Sequence, residues 1–300
     1  EEIRFSGEPF ALYPGEKLNG KVSPLQVVAA LTAIKLRAIR DFKDGEVTRI
    51  AGDEWLFHGP GTYLPKIEVQ AVEIVRATVV KPNEGLRLRA KKEFVDEQGV
   101  NRRTGEEWIV RTVGAYMPHV HEEIIQTVAA IILTEKKALH LNATRNFKDV
   151  YGVERKAGEE WLITKTQSET HLPDVFEQIV GEVQLTTLNS RQYCVVLDPI
   201  NPATGKPQLG LRQLRQGETN FFLQPGEKLE AGIQNVYVLG SEEALLLRAR
   251  EAYKDGEERR NPGDRWMING PCDYVPPVSV EIVEKRKAFP LDENEGIYVR

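Results

Sequence analysis

Gly52-Asp53-Glu54-Trp55 returns as Gly105-Glu106-Glu107-Trp108, as Gly158-Glu159-Glu160-Trp161 and as Gly263-Asp264-Arg265-Trp266, which accounts for all four tryptophans of the chain. Recurrence near a fixed period marks a repeat protein, in which each short unit buries its apolar face partly against its neighbours. Upstream of the tetrad, Leu36-Arg37-Ala38, Leu88-Arg89-Ala90, Leu141-Asn142-Ala143 and Leu247-Arg248-Ala249 align, each followed by an aromatic residue, Phe42, Phe94, Phe147 or Tyr253. Downstream lie Pro65, Pro118, Pro173 and Pro276, then an apolar stretch such as residues 69–75. Residues 217–229 echo residues 7–18 with Phe or Tyr where the Trp is missing, which assigns Phe222 to the aromatic slot of a diverged copy. Glycines 7, 52, 105, 158, 217 and 263 are separated by 45, 53, 53, 59 and 46 residues, giving six units. The expected division is a partial repeat at 1–28, repeats at 29–80, 81–133, 134–188 and 240–290, a diverged repeat at 189–239, and the start of another at 291–300.

The units read as all-β, a tandem array of small antiparallel β-sheet repeat domains forming an elongated rod. In residues 86–90 and 244–249 apolar side chains recur mostly at every second position, which turns them to one face of a strand and the arginines to the other. Lys43-Asp44-Gly45-Glu46 and Lys254-Asp255-Gly256-Glu257 carry Asp-Gly, the pair suited to a type I′ hairpin turn. The glycine before each acidic residue suits a bulge or a close backbone approach. Residues 122–133 have an apolar pattern that a helix would also satisfy, but the aligned stretches 69–80 and 178–188 are rich in Val, Ile and Thr and favour strands.

Forty basic and 45 acidic side chains give a formal net charge of -5 with the signs interspersed, which argues against a dedicated nucleic-acid surface. Lys285-Arg286-Lys287 and Arg259-Arg260 are short enough to be solvated loop charges. Cys194 and Cys272 occupy non-matching slots and define neither a disulfide framework nor a zinc site. With no apolar run long enough for a bilayer and no signal peptide, the chain is expected to be cytoplasmic, with a minor nuclear fraction.

Catalytic and ligand chemistry finds little support. His119-x-His121 puts two imidazoles on one strand face, but the matching slots hold Lys66 and Glu68, Asp174 and Phe176, and Pro277 and Ser279, as surface variation would. His58, His140 and His171 stand apart, and no Ser or Cys has a His and an acid at motif spacing. Asp96-Glu97-Gln98-Gly99 and residues 41–45 lack the ligand spacing of a calcium loop, and Gly59-Pro60-Gly61 lacks the Lys-Ser/Thr of a phosphate loop. The chain is therefore expected not to be an enzyme, with no catalytic, cofactor or metal residues. Adjacent carboxylates such as Glu106-Glu107 read as solvated charges that blunt strand edges. Trp55, Trp108, Trp161, Trp266 and Phe222 read as repeat core. Arg37, Arg89, Glu107, Glu160 and Arg248 read as lateral contacts, weak and salt-screened, at which charge reversal would disturb packing between copies without unfolding the chain.

Several stretches together resemble the major vault protein family. They are residues 52–57 running into Gly59-Pro60-Gly61-Thr62-Tyr63-Leu64-Pro65, Thr104-Gly105-Glu106-Glu107-Trp108 with Val113-Gly114-Ala115-Tyr116-Met117-Pro118, residues 221–227, and Pro290-Leu291-Asp292-Glu293-Asn294-Glu295-Gly296-Ile297-Tyr298-Val299. The resemblance covers essentially the whole chain. It implies a part of the N-terminal repeat region, the waist of a hollow ribonucleoprotein shell in which copies stand side by side as staves. The family's shoulder domain, cap helix and first repeats have no counterpart here, so the chain is expected to be an excised piece. Partners implied by the resemblance are other copies of the chain, a vault-associated poly(ADP-ribose) polymerase, a telomerase-associated protein and a small untranslated RNA.

Two classes of function follow: a structural shell subunit that self-associates laterally, and a binding platform on which one divergent repeat docks a partner. The fifth unit, with its insertion at 198–206, and the fourth, with its loop at 165–171, are the candidates for such docking. The rod expectation is testable by small-angle scattering. A compact chain of this length has a radius of gyration of about 19 Å, whereas a row of six units about 25 Å across has about 40 Å. The larger value is expected, and the smaller would refute the rod.

Overall fold

The computed structural model describes residues 1–300 apart from Glu97, Glu257, Asp292 and Arg300. The parts of the calcium-like loop, of the second Asp-Gly turn and of the closing family stretch that fall on those positions lie outside the described residues. Every regular element described is a β-strand, and among the described residues no helix is long and apolar enough to cross a membrane. Residues 122–133 form the strands Glu122–Ala129 and Ile131–Ile132.

One unit recurs. A central strand, Thr32–Ala38, Glu84–Ala90, Lys137–Ala143 or Glu243–Ala249, lies between a Trp-bearing strand and an outer strand. The Trp-bearing strands are Glu54–His58, Glu107–Val110, Glu160–Ile163 and Arg265–Asn269; the outer ones are Val69–Arg76, Glu122–Ala129, Glu177–Gln184 and Val280–Lys287. A two-stranded antiparallel pair closes each unit: Gln26–Val28 with Gly61–Tyr63, Thr78–Val80 with Gly114–Tyr116, Ile131–Ile132 with Thr170–His171, and Tyr237–Leu239 with Cys272–Tyr274. The strand at Gln26 lies before the expected boundary at residue 29 and pairs with one after it.

Alternation on the central strand builds a small core in each unit. Ile34 and Leu36 pack with Val28 and Tyr63, against Trp55, Phe57 and Val69; Leu86 and Leu88 pack with Val80, against Trp108, Val110, Tyr116 and Ile124. Cores of this size leave each unit marginally stable by itself. The first compact unit of the chain comprises Glu1–Ile132, Thr144–Arg155 and Thr170–Gln178; the second comprises Leu133–Ala143, Lys156–Glu169 and Ile179–Arg300. Within the first, neighbouring repeats interlock: a Cβ on Gly85 would meet the end of the Leu172 side chain at 2.6 Å, so a larger residue there would displace Leu172.

The tetrad glycines close turns and also form the bulge that the sequence suggests, since each glycine and the acidic residue after it stand opposite a single alanine of the central strand. Gly52, Gly105, Gly158 and Gly263 have φ of 95°, 81°, 80° and 93°, a region that strains any residue with a Cβ. The acidic residue that follows closes the turn. Its carboxylate accepts the N–H three residues back, Ile50 to Asp53, Arg103 to Glu106, Lys156 to Glu159 and Asn261 to Asp264, at 2.7–3.0 Å. The same two residues anchor the central strand, since Gly105 N–H donates to the Ala90 carbonyl and Ala90 N–H to the Glu106 carbonyl, with equivalent pairs at Ala38, Ala143 and Ala249. Further bulges occur in the outer strands, where the register skips Val72, Ile125 and Val283. The Asp-Gly hairpin also departs from type I′: Asp44 ends its strand opposite Val47, and of the two loop residues only Gly45 has positive φ (62°).

In the fifth repeat, Gln192–Leu197 lies between Arg212–Gln216 on one side and Lys228–Leu229 and Gln234–Asn235 on the other. Leu36, Leu88, Leu141 and Leu247 each face a Trp, whereas Val196 faces Gln213. The aromatic slot thus holds Gln213, and Phe222 is not its substitute. Phe221 ends the strand Thr219–Phe221, paired with Thr186–Leu188, where the other repeats have Tyr63, Tyr116, His171 and Tyr274. Gly217 lies after the Trp-equivalent strand, not before it, so alignment on that glycine displaces the register.

Trp161 is buried, while Trp55, Trp108 and Trp266 are partly covered. Arg49, Arg102 and Arg260 lie over the rings of Trp55, Trp108 and Trp266 at 4.4, 4.5 and 4.8 Å. Trp161→Ala is expected to cost about 3–5 kcal/mol by lost burial and cavity formation. Trp108→Ala should cost less, because part of that ring is already in water. Urea unfolding with hydrogen exchange at the two hairpins checks the order; an equal or larger loss at Trp108 would overturn it.

Candidate functional site

The pairing register sets the charged side chains. The residue before each Trp lies directly opposite the second residue of the Leu-x-Ala run: Glu54 opposite Arg37, Glu107 opposite Arg89, Glu160 opposite Asn142, and Arg265 opposite Arg248. Side chains directly opposite on one sheet face are within reach of each other. Arg37 donates from Nε to Glu54 at 2.9 Å and Lys35 approaches the same carboxylate at 3.1 Å. Glu107 accepts from Arg89 Nε at 2.9 Å and from Arg87 Nε at 2.8 Å. Glu160 contacts His140 Nε2 at 2.9 Å and accepts weakly from Asn142 at 3.5 Å. In the last repeat two arginines face each other, and Arg248 turns to Glu281 on the outer strand, donating from Nε at 3.1 Å.

These carboxylates are not free surface charges. The bond from Arg89, opposed by burial and reinforced by Arg87, holds the Glu107 carboxyl below the ordinary carboxylate range. Burial alone would raise Glu54, but the bonds from Arg37 and Lys35 outweigh it and the net shift is downward. Glu106 is lowered first by the Arg103 N–H and then, against burial, by Arg102. The expectation of solvated edge charges is thereby corrected: Glu106 closes a turn and Glu107 joins two strands. The candidate lateral residues Arg37, Arg89, Glu107, Glu160 and Arg248 all meet partners inside their own repeat, and the arginines keep nearly half of their side-chain surface in solvent.

A second slot escaped the sequence reading. Six residues beyond Tyr63, Tyr116, His171, Phe221 and Tyr274 stand Val69, Glu122, Glu177, Glu227 and Val280. The three glutamates are buried, and each accepts the backbone N–H three residues back, from His119, Asp174 or Gln224, at 2.8–2.9 Å. Each also meets a polar group: Tyr116 Oη donates to Glu122 at 2.6 Å, His171 Nε2 lies 2.8 Å from Glu177, and Arg215 donates to Glu227 at 3.3 Å. Tyr151 Oη lies 3.1 Å from His171 Nδ1, so both ring nitrogens are engaged. The six-residue spacing was the available signal, hidden because two of the five slots hold valine.

Among the described residues no group of three His, Cys, Asp or Glu is placed to hold a metal. His119 stacks on Phe94 at 5.0 Å, and burial, then the neighbouring His119, lowers the His121 imidazole. Asp96 accepts the N–H groups of Gln98 and Val100 and the Arg102 guanidinium. In the first compact unit a polar groove of about 680 Å³ is lined by Arg87, Arg103, Glu106, Glu107, Arg145 and Phe176. Arg145 lies over Phe176 at 4.2 Å, and neither it nor Arg103 has an ion-pair partner among the described residues.

Comparison with known proteins matches this architecture. A sequence model of the Major Vault Protein repeat domain matches residues 26–66, 78–119, 131–174 and 237–277, and a second model of the Major Vault Protein repeat domain matches 185–233. Over its whole length the chain is 62% identical to Major vault protein alpha of Dictyostelium discoideum, and 57% identical to Major vault protein of both Strongylocentrotus purpuratus and Gallus gallus. It spans 36%, 35% and 36% of those relatives, about a third of their length. Four repeats that fit one model and a fifth, lacking the Trp, that fits the other place this chain in the major vault protein family.

Proposed function

We propose that the chain is a structural wall subunit, a stave of a vault particle, acting in the cytoplasm by side-by-side association with other copies of itself. The observation that carries this reading is repetition: the same sheet, the same turn and the same closing strand pair are rebuilt along the chain, so one repeat's surface chemistry is offered again by the next. A wall element uses such a surface many times over, whereas a catalyst needs one converging set of groups. Membership of the major vault protein family supports the same reading.

A second reading is a docking platform. It is favoured by the groove in which Arg103 and Arg145 form no close ion pair among the described residues, a site suited to an acidic segment of a partner such as the poly(ADP-ribose) polymerase.

Sedimentation velocity over a wide concentration range separates the two. A stave grows reversibly into larger species as concentration rises, and a chain that stays monomeric at every concentration is not one. The ion pairs add a second test. Because Glu107 is held by two arginines of its own repeat and its side chain is only 17% exposed, Glu107→Lys should lower the stability of that repeat by about 1–3 kcal/mol. Glu160, 41% exposed and facing His140 and Asn142, should tolerate the same change with a smaller loss. Urea midpoints of the two variants check this, and equal midpoints would show that Glu107 has no special structural role.

A further inference from the structure

The short strand that opens each repeat carries one side chain facing away from the core. It is Val27, Val79, Ile132, Thr187 or Val238, each immediately before a buried residue, Val28, Val80, Leu133, Leu188 or Leu239. Period-two alternation accounts for the direction. It does not account for the chemistry, because Val27, Val79, Ile132 and Val238 are aliphatic and 75%, 60%, 70% and 53% exposed. Strand propensity explains why all five are β-branched, but threonine satisfies that preference equally well, and only the fifth repeat uses it. The cross-strand neighbours are Thr62, Ala115, Thr170, Asn220 and Asp273. Beside three of the four aliphatic side chains the cross-strand neighbour is uncharged, and beside Val238 it is Asp273.

We propose that Val27, Val79, Ile132 and Val238 are separate apolar contacts, one per repeat, through which one copy of this chain meets a second. The proposal rests on the self-association put forward above and assigns it residues and a driving force. Recurrence at one slot per repeat identifies the occupant, because a partner that engages every repeat has to carry the same spacing, and a second copy of this chain does. Area sets the strength. Each side chain of this kind exposes on the order of 100 Å², a small part of the ~800 Å² that each partner buries in a stable interface. The contact is therefore reversible between two chains and gains strength only where many act together. The charged pairs are not its source, since they are satisfied within each repeat.

The test is sedimentation equilibrium of the chain and of the variant Val27→Thr/Val79→Thr/Ile132→Thr/Val238→Thr, with and without added sodium sulfate. Apolar contact strengthens with sulfate, so association of the parent chain should tighten. The variant keeps β-branching and should associate at least roughly tenfold more weakly with an unchanged thermal midpoint. Equal association of variant and parent overturns the apolar contact and leaves self-association standing, as does parent association that weakens with added sodium chloride. A parent chain that never associates overturns both. Should the fourfold variant fail to fold, Thr187→Val decides: tighter association supports the contact, and no change overturns it.

Discussion

Register in each of the four Trp-bearing repeats depends on one turn. A glycine at positive φ allows the chain to reverse, the acidic residue after it ties the turn shut, and the pair of bonds between that turn and the alanine ending the central strand fixes which residues stand opposite each other. A slip of one residue would send every side chain to the other face. With the register held, leucine meets tryptophan on the core side and arginine meets glutamate on the solvent side. The tetrad is therefore a device for register first and an aromatic anchor second.

The charged face shows how variation is absorbed once that device is in place. Two repeats set arginine against glutamate, a third replaces the arginine by asparagine and engages His140, and the last sets two arginines opposite each other and draws in Glu281 from the outer strand. The arginines of these pairs keep nearly half of their side-chain surface in solvent, which limits what each pair contributes. Their varied solutions at one position accord with a secondary role, while the turn beneath them keeps its glycine and its acid. The buried glutamates differ: Glu122, Glu177 and Glu227 each satisfy a turn N–H, which in the last repeat does not exist because Pro277 stands at that position, and each takes a different polar partner.

Repeat architecture also reshapes what counts as a site. A single enzyme-like pocket draws attention by convergence of unlike groups, whereas a surface that is used many times is visible only as the same exposed residue type at the same slot. Aliphatic residues on the closing strand pair meet that description, and the arginine–glutamate pairs do not, because their chemistry is consumed within the repeat.

Sequence alone determined the period, the all-β class, the aromatic slot of four repeats and the family resemblance, because these reside in local patterning: period-two alternation, positive-φ glycines and an aromatic recurring with its neighbours. Sequence misplaced what depends on pairing across a sheet. Phe222 looked like a tryptophan substitute because a glycine can mark either of two turns in the unit, and only the strand partners show Val196 facing Gln213. Glu106 and Glu107 looked equivalent as neighbours, yet one faces back into its turn and the other reaches across to two arginines, a division set by tertiary hydrogen bonding. The buried glutamates were hidden for a different reason: most of their donors lie three and six residues back in the chain, but two of the five slots hold valine, and a carboxylate reads as exposed until the turn brings those donors onto it.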